Sequence, residues 1–231
     1  DITAVDTDSE SIKEALAQKV VARGFNEINE HVLSSDIIFI CTCVENAVRY
    51  LDELACRGVG PDTVVTDVCS TKSRIISHID SMKNPPCFVG GHPMAGTEKT
   101  GYSFSFAHLF ENAYYILVPS GSTKKHAMDL MTRLVEAIGA IPVQLDAHEH
   151  DRITGGISHV PHIIAASLVN LVRKLDTPDG KMRMLAAGGF KDLTRTASSN
   201  PALWGKITLS NKKHISDMLN LYIHEIRKFQ Q

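Results

Sequence analysis

Asp36-Ile-Ile-Phe-Ile-Cys41 is a continuous apolar run. A helical pattern through Val44, Val48, Leu51 and Leu54 follows it, then a stop at Gly58-Val-Gly60-Pro61 and a second run at Thr63-Val-Val-Thr-Asp-Val68. Runs of that kind are strands buried on both faces, which requires helices above and below the sheet. The same unit recurs on either side. Upstream, Ile2-Thr-Ala-Val5 ends in Asp6, and Ser9 opens a helix with Ile12, Ala15, Leu16, Lys19 and Val20. Downstream come a helix over 72–82, a strand Cys87-Phe-Val-Gly90, a strand at 114–118, a helix with Leu130, Met131, Leu134 and Ile138, and a strand at 141–145. Short apolar strands alternating with helices predict a doubly wound α/β fold with a mainly parallel sheet.

After Asp146 only helical periodicity remains, so the division is expected at 1–146 for the sheet domain and 147–231 for an all-α domain. Pro161 suits the first turn of a long helix carrying Val160, Ile163, Ile164, Leu168, Leu171, Val172 and Leu175. The last helix, with Ile215, Met218, Leu219, Tyr222, Ile226 and Phe229, has an apolar face that calls for a partner.

The chain has 231 residues, about one and a half typical domains. Lys+Arg 24 against Asp+Glu 26 leaves no cationic excess for nucleic acid or an anionic membrane. No apolar run approaches the ~20 residues needed to span a bilayer, so membrane insertion is not expected. The five cysteines, Cys41, Cys43, Cys56, Cys69 and Cys87, are odd in number and lie in or beside apolar runs. That pattern predicts buried free thiols in a reducing cytoplasm rather than a disulfide framework. No signal-peptide pattern opens the sequence.

A doubly wound sheet binds its ligand beyond the carboxyl ends of its strands. Asp6 stands where a dinucleotide-binding fold places an acid for the adenosine ribose; the alternative is a strand-end cap. The sequence contains no GxGxxG turn. Either the dinucleotide reading fails or the chain is a truncation of a protein roughly 30 residues longer, unable to bind NAD well as it stands. Gly90-Gly-His-Pro-Met-Ala-Gly-Thr-Glu98 fixes His92 directly after a strand, as a general base or hydrogen-bonding group, with glycines that would admit a ligand. His148, His150, His159 and His162 could suggest a metal, but His159-x-x-His162 lacks carboxylate or Cys partners at ligand spacing, so no metal site is expected. Asp192 and Arg195 are three apart, either an intrahelical ion pair or an Arg offered to a carboxylate. Trp204 is the only tryptophan, a core anchor by default. No GxSxG elbow suggests a serine hydrolase.

Five stretches now stand in order: Asp67-Val-Cys-Ser-Thr-Lys72, Gly91-His-Pro-Met-Ala-Gly-Thr-Glu98, Ser158-His-Val-Pro-His162, Gly188-Gly-Phe-Lys-Asp-Leu-Thr-Arg195 and Asn200-Pro-Ala-Leu-Trp204. Together they resemble the prephenate/arogenate dehydrogenase family of tyrosine biosynthesis, over essentially the whole chain. The resemblance implies a Rossmann-like domain followed by a helical domain that dimerises. It implies NAD-dependent oxidative decarboxylation of prephenate to 4-hydroxyphenylpyruvate, or of arogenate to tyrosine, with NADP a less favoured cofactor. By resemblance His92 acts at the substrate 4-hydroxyl, with Ser70 hydrogen-bonded to His92 or to that hydroxyl. Arg195 holds a substrate carboxylate, His162 and Gly188 line the pocket, and Glu98 shapes it. Asp192 and Trp204 support the pocket or the subunit interface, and Asp6, Thr42, Cys43, Val44 and the backbone around Asp67 contact NAD. The alternatives are another β-hydroxyacid dehydrogenase, in which His92 is incidental, and a non-catalytic dimeric relative.

Overall fold

A computed structural model describes residues 1–97 and 101–230, which fall into two compact units, Asp1–Ala147 and His148–Gln231. In the first, β1 (Thr3–Val5) pairs in parallel with β2 (Arg23–Phe25), joined through α1 (Ser9–Ala17). After the single-turn α2 (Glu30–Leu33), a five-stranded sheet forms in the order β3 (Ile37–Ile40), β4 (Val64–Asp67), β5 (Cys87–Pro93), β6 (Tyr114–Pro119), β7 (Ile141–Gln144). All its pairings are parallel except β5 with β6, which is antiparallel. The doubly wound α/β class is therefore present. Apolar periodicity alone identifies neither the reversal at β6 nor the short, half-exposed β2.

Strands β4, β5 and β6 alternate their side chains between two helical layers, while β3 at the sheet edge buries Ile38 and Ile40 and leaves Phe39 exposed. Ile38, Ile40, Val65, Phe88, Ile116 and Val118 pack with Val44, Ala47, Leu51 and Leu54 of α3 (Val44–Arg57) and Ile75, Ile76 and Ile79 of α4 (Ser73–Ser81). Val64, Val89, Tyr115 and Leu117 face the other way, onto Ala127, Met131 and Val135 of α5 (Lys125–Ala137). Leu51, Ile75, Ile79 and Met131 are completely buried, each worth about 1.5–3 kcal/mol of transfer free energy. That two-sided core is what holds the carboxyl ends of β3, β4 and β5 in place.

Two expectations change in this unit. The sequence pattern ends the fifth strand at Gly90, but pairing continues to Pro93, so His92 is a strand residue opposite Ile116 rather than part of a following loop. Of the cysteines, all free, Cys69 and Cys87 are buried, whereas Cys41 and Cys56 are exposed and Cys43 half-buried. Cys41 leaves the strand at its open end and Cys56 sits on the outer side of α3, so an apolar neighbourhood in sequence did not mean burial.

The second unit contains α6 (Ala147–Thr154, entering from the first), α7 (Val160–Leu175), α8 (Lys181–Leu185), α9 (Gly188–Thr194), α10 (Pro201–Ser210) and α11 (Lys212–Arg227), with no strand among its described residues. Pro161 stands in the first turn of α7, as expected, but that turn does not begin a separate helix. It lies inside one continuous run, Ala147–Leu175, whose middle segment Gly155–His159 is wound as a π-helix, the Val160 N–H reaching the Gly155 carbonyl. A proline inside a helix lacks its N–H and crowds the carbonyl four residues back, here Ile157. Widening the turn just ahead of it relieves that clash. Gly155 and Gly156 let α11 close on this turn: a Cβ at either would stand 3.3 Å from Asn211 Nδ2 or Met218 Sδ, respectively. By length and composition this 29-residue run could cross a bilayer, which corrects the expectation that no run approaches that length. It nevertheless carries buried His150, Asp151 and His159 packed within the helical unit.

Candidate active site

At the carboxyl end of β4, Asp67 and Lys72 are both completely buried and form an ion pair. Asp67 also accepts the Cys69 N–H at 2.9 Å and, through Oδ1, the Gly91 N–H at 3.2 Å. A buried pair tolerates desolvation only when its remaining lone pairs are satisfied, and here two backbone donors do that. Close approach explains the two glycines before His92. A Cβ at Gly91 would lie 2.5 Å from the Asp67 carbonyl oxygen and 2.9 Å from the Tyr115 hydroxyl, and one at Gly90 would lie 3.2 Å from Lys72 Cδ. The expectation that these glycines admit a ligand is thus corrected: they admit the protein's own Asp67, Lys72 and Tyr115. A Cβ at Gly96, by contrast, meets nothing within 4 Å.

Ser70 is half-buried in the β4–α4 turn, and His92 is half-buried on β5. The Cys69 thiol of that turn donates to the Thr42 carbonyl at 3.1 Å, tying the β4 exit to the β3 exit; burial, and then the Asp67 charge, push this thiol well above its usual range. Thr42 also accepts from the Asn46 amide at 3.3 Å, Cys43 sits at the N-cap of α3 without a side-chain cap bond, and Val44 begins the helix, buried. The Tyr115 hydroxyl is buried with no hydrogen-bond partner among the described residues. Burial and, secondly, Asp67 hold it protonated.

Asp6 is exposed at the end of β1. One carboxylate oxygen accepts the Asp8 N–H at 2.8 Å; Asp8, not Asp6, caps α1. The other oxygen of Asp6 has no partner among the described residues. Asp6 borders a pocket of about 470 Å³ whose walls include Asp8, Ser11, Ile12, Ala15 and Tyr102. An acid with an open oxygen at a pocket fits a ribose diol, and the α3 N-terminus offers backbone donors to a negative group. These residues fit parts of a dinucleotide. The glycine-rich turn for its pyrophosphate is not among the 231 residues. Asp67, its carboxylate enclosed, could take part only through backbone atoms.

In the helical unit the histidines are partnered to one another's neighbours. His150 Nδ1 lies 2.8 Å from Asp151, and His148 meets His214 edge to face. His162 stacks on Trp204 with centroids 3.6 Å apart and planes 1° from parallel; His159 meets the same indole edge on at 6.1 Å. Burial lowers the pKa of His159 to about 4 and also lowers that of His162, so both rings are neutral near pH 7. His162 bonds the backbone of Thr196, yet its Nδ1 is buried without a partner among the described residues. Thr196 belongs to the 3-10 turn Arg195–Ser198, so this bond ties that turn to His162, and Arg195, which opens the turn, has an exposed side chain. Gly188, the first residue of α9, and Asp192 are exposed. Glu98 lies outside the described residues. Trp204 is only half-buried, so it is less a core anchor than a partly exposed ring on which His162 stacks. Sequence reasoning missed Lys72, Tyr115, Asp151 and Asn211. Only Lys72 had a signal, an Asp and a Lys flanking a strand-to-helix turn; the other three are identified by burial.

A family model described as prephenate dehydrogenase, nucleotide-binding domain, matches residues 1–144, and one described as prephenate dehydrogenase, dimerization domain, matches residues 146–231. The chain is 38% identical over 230 residues to the prephenate dehydrogenase of Bacillus subtilis, covering 99% of this chain and 62% of that protein. It thus spans less than two thirds of that relative's length. The crystal structure of prephenate dehydrogenase from A. aeolicus in complex with hydroxyphenyl propionate and NAD+ superposes with a TM-score of 0.91 at 30% identity, over 99% of this chain and 80% of that one. Arogenate dehydrogenase from Synechocystis superposes with a TM-score of 0.82 at 26% identity, over 98% and 81%.

Proposed function

The chain belongs to the prephenate dehydrogenase family, and on that premise we propose that it serves NAD-dependent oxidative decarboxylation of prephenate to 4-hydroxyphenylpyruvate. The observation that carries the proposal is the match of both family domains, in order, along the whole chain. The overall conversion takes prephenate and NAD+ to 4-hydroxyphenylpyruvate, CO2 and NADH. Bound NAD would supply the hydride acceptor. The hydroxyl keeps its proton in the product phenol. His92 therefore serves by accepting a hydrogen bond from it, releasing electron density toward the carbon that loses hydride while the C–CO2 bond breaks. Ser70 orients His92 or that hydroxyl. Arg195 holds a substrate carboxylate, beside His162, Gly188 and Trp204, with Asp192 supporting Arg195; Glu98 keeps the pocket-shaping role that the resemblance implies. Asp6 and the Thr42-Cys43-Val44 turn would hold the dinucleotide, with Asp67 bracing the strand end beneath.

The helical unit is read as the surface of a homodimer. Leu171, Leu193, Leu221 and Phe229 are 52%, 71%, 68% and 92% exposed, more apolar surface than a monomer usually leaves open. The five free cysteines suit the reducing cytoplasm in which this reading places the protein. A second reading, arogenate as substrate, is favoured by the likeness to the Synechocystis enzyme. Turnover of prephenate and arogenate, each with NAD and with NADP, separates them: the proposal expects prephenate with NAD to give the highest kcat/KM, and preference for arogenate overturns it.

A further inference from the structure

Asn211 stands at the joint between α10 and α11, 3% exposed. Its side-chain nitrogen donates to the Asp151 carbonyl at 2.7 Å and lies 3.0 Å from His159 Nδ1. With the amide turned over, its oxygen would face the Asp151 carbonyl, two acceptors against each other, so the nitrogen is fixed in place. Both its hydrogens are then engaged, one on each partner. His159 Nδ1 must be the acceptor, which leaves the His159 proton on Nε2. The same ring stands edge on to Trp204, which stacks on His162, and Asn211 also closes the helix that carries Trp204.

We infer that Asn211 is a positioning residue for the substrate recess proposed at Arg195, His162 and Trp204: its amide holds His159 in the Nε2–H form and, through that ring and the end of α10, sets the Trp204–His162 stack. The inference rests on the proposed function for what the recess binds, and the tautomer itself does not. The titratable groups around His159 are Asp151 and His150 on α6, His162 on α7, and His214 on α11, which itself responds to Asp151. None of them can replace a neutral double donor at Asn211.

The test uses the whole chain with Asn211→Asp, which keeps the shape but presents acceptors, and Asn211→Ser as a second variant. Two-bond proton–nitrogen correlation reads the histidine tautomers, the emission of the lone Trp204 reads the stack, and calorimetry with hydroxyphenyl propionate reads the recess. The wild-type protein is expected to show His159 protonated at Nε2 alone. Asn211→Asp moves the proton toward Nδ1, raises the pH at which Trp204 emission is quenched, and weakens hydroxyphenyl propionate about tenfold. Asn211→Ser weakens it in the same direction. An Nδ1–H His159 in the wild-type protein overturns the inference even where neither variant folds. So does a switched tautomer with binding unchanged. Wild-type protein that does not bind hydroxyphenyl propionate overturns the proposed function and this inference together; wild-type binding with indifferent variants overturns the inference alone.

Discussion

The carboxylate of Asp67 accepts the backbone N–H of Gly91 at 3.2 Å, so a fully buried acid at the end of β4 fixes the strand position immediately before His92. Lys72 pairs with that acid inside the protein, both side chains fully buried. Replacing Lys72 by Met leaves a buried carboxylate without its cation, and a loss of about 3–5 kcal/mol in urea unfolding is expected. Adding Asp67→Asn to the same protein should recover part of it. A single variant within experimental error of wild type would show that the pair does not brace the site.

Gly91 and Gly96 flank His92 and differ in what surrounds them. Gly91→Ala would drive its methyl to 2.5 Å from a backbone oxygen, which a strand cannot yield easily, and should cost about 1–3 kcal/mol. Gly96→Ala points into open space and should stay within about 0.5 kcal/mol of wild type. Denaturant midpoints of the two variants side by side check the contrast.

Acid should weaken the fold through His159. Its folded pKa, about 4, lies below the ordinary histidine value of 6.5, so between these limits the unfolded chain binds more protons than the folded one. Stability is complete above pH 6.5 and falls as pH drops toward 4, by on the order of 3 kcal/mol, with His162 adding in the same direction. Unfolding free energies at pH 7 and pH 5 measure it. In His159→Gln that pH dependence should flatten.

The residues proposed in the two units should fail differently. His92→Asn is expected to lower turnover by roughly 10²–10⁴ with little change in NAD affinity. Arg195→Gln should instead weaken the hold on the substrate carboxylate, raising KM by roughly 10–100-fold. Steady-state kinetics and NAD titrations on both variants test the assignment, and an Arg195 variant with unaltered KM would remove that residue from the site.

The apolar runs at 36–41 and 63–68 were enough to read the strands, but only the second is buried on both sides: β4 is buried throughout, whereas in β3 Ile38 and Ile40 are buried and Phe39 is 40% exposed, because β3 is the edge strand of its sheet. The order of motifs then pointed to the family now matched along the whole chain. What was hidden had physical causes. Strand β5 runs on through Gly-Gly-His-Pro, residues that disfavour strands, because β6 pairs with it there. The widened turn at Gly155–His159 depends on a proline inside a helix, which a sequence reading takes for a helix start. Asn211 and Asp151 are sixty residues apart, and only their burial marks them.

The central claim is that hydride passes from the substrate's hydroxyl-bearing ring carbon to NAD as the ring carboxylate leaves. Prephenate deuterated at that carbon, incubated with the protein and NAD and followed by mass spectrometry, tests it most directly. The expected result is deuterium in the reduced nicotinamide, with CO2 and unlabelled 4-hydroxyphenylpyruvate in equal amounts. Prephenate consumed with the deuterium retained in the aromatic product, or left untouched by protein that demonstrably binds both NAD and hydroxyphenyl propionate, would contradict it.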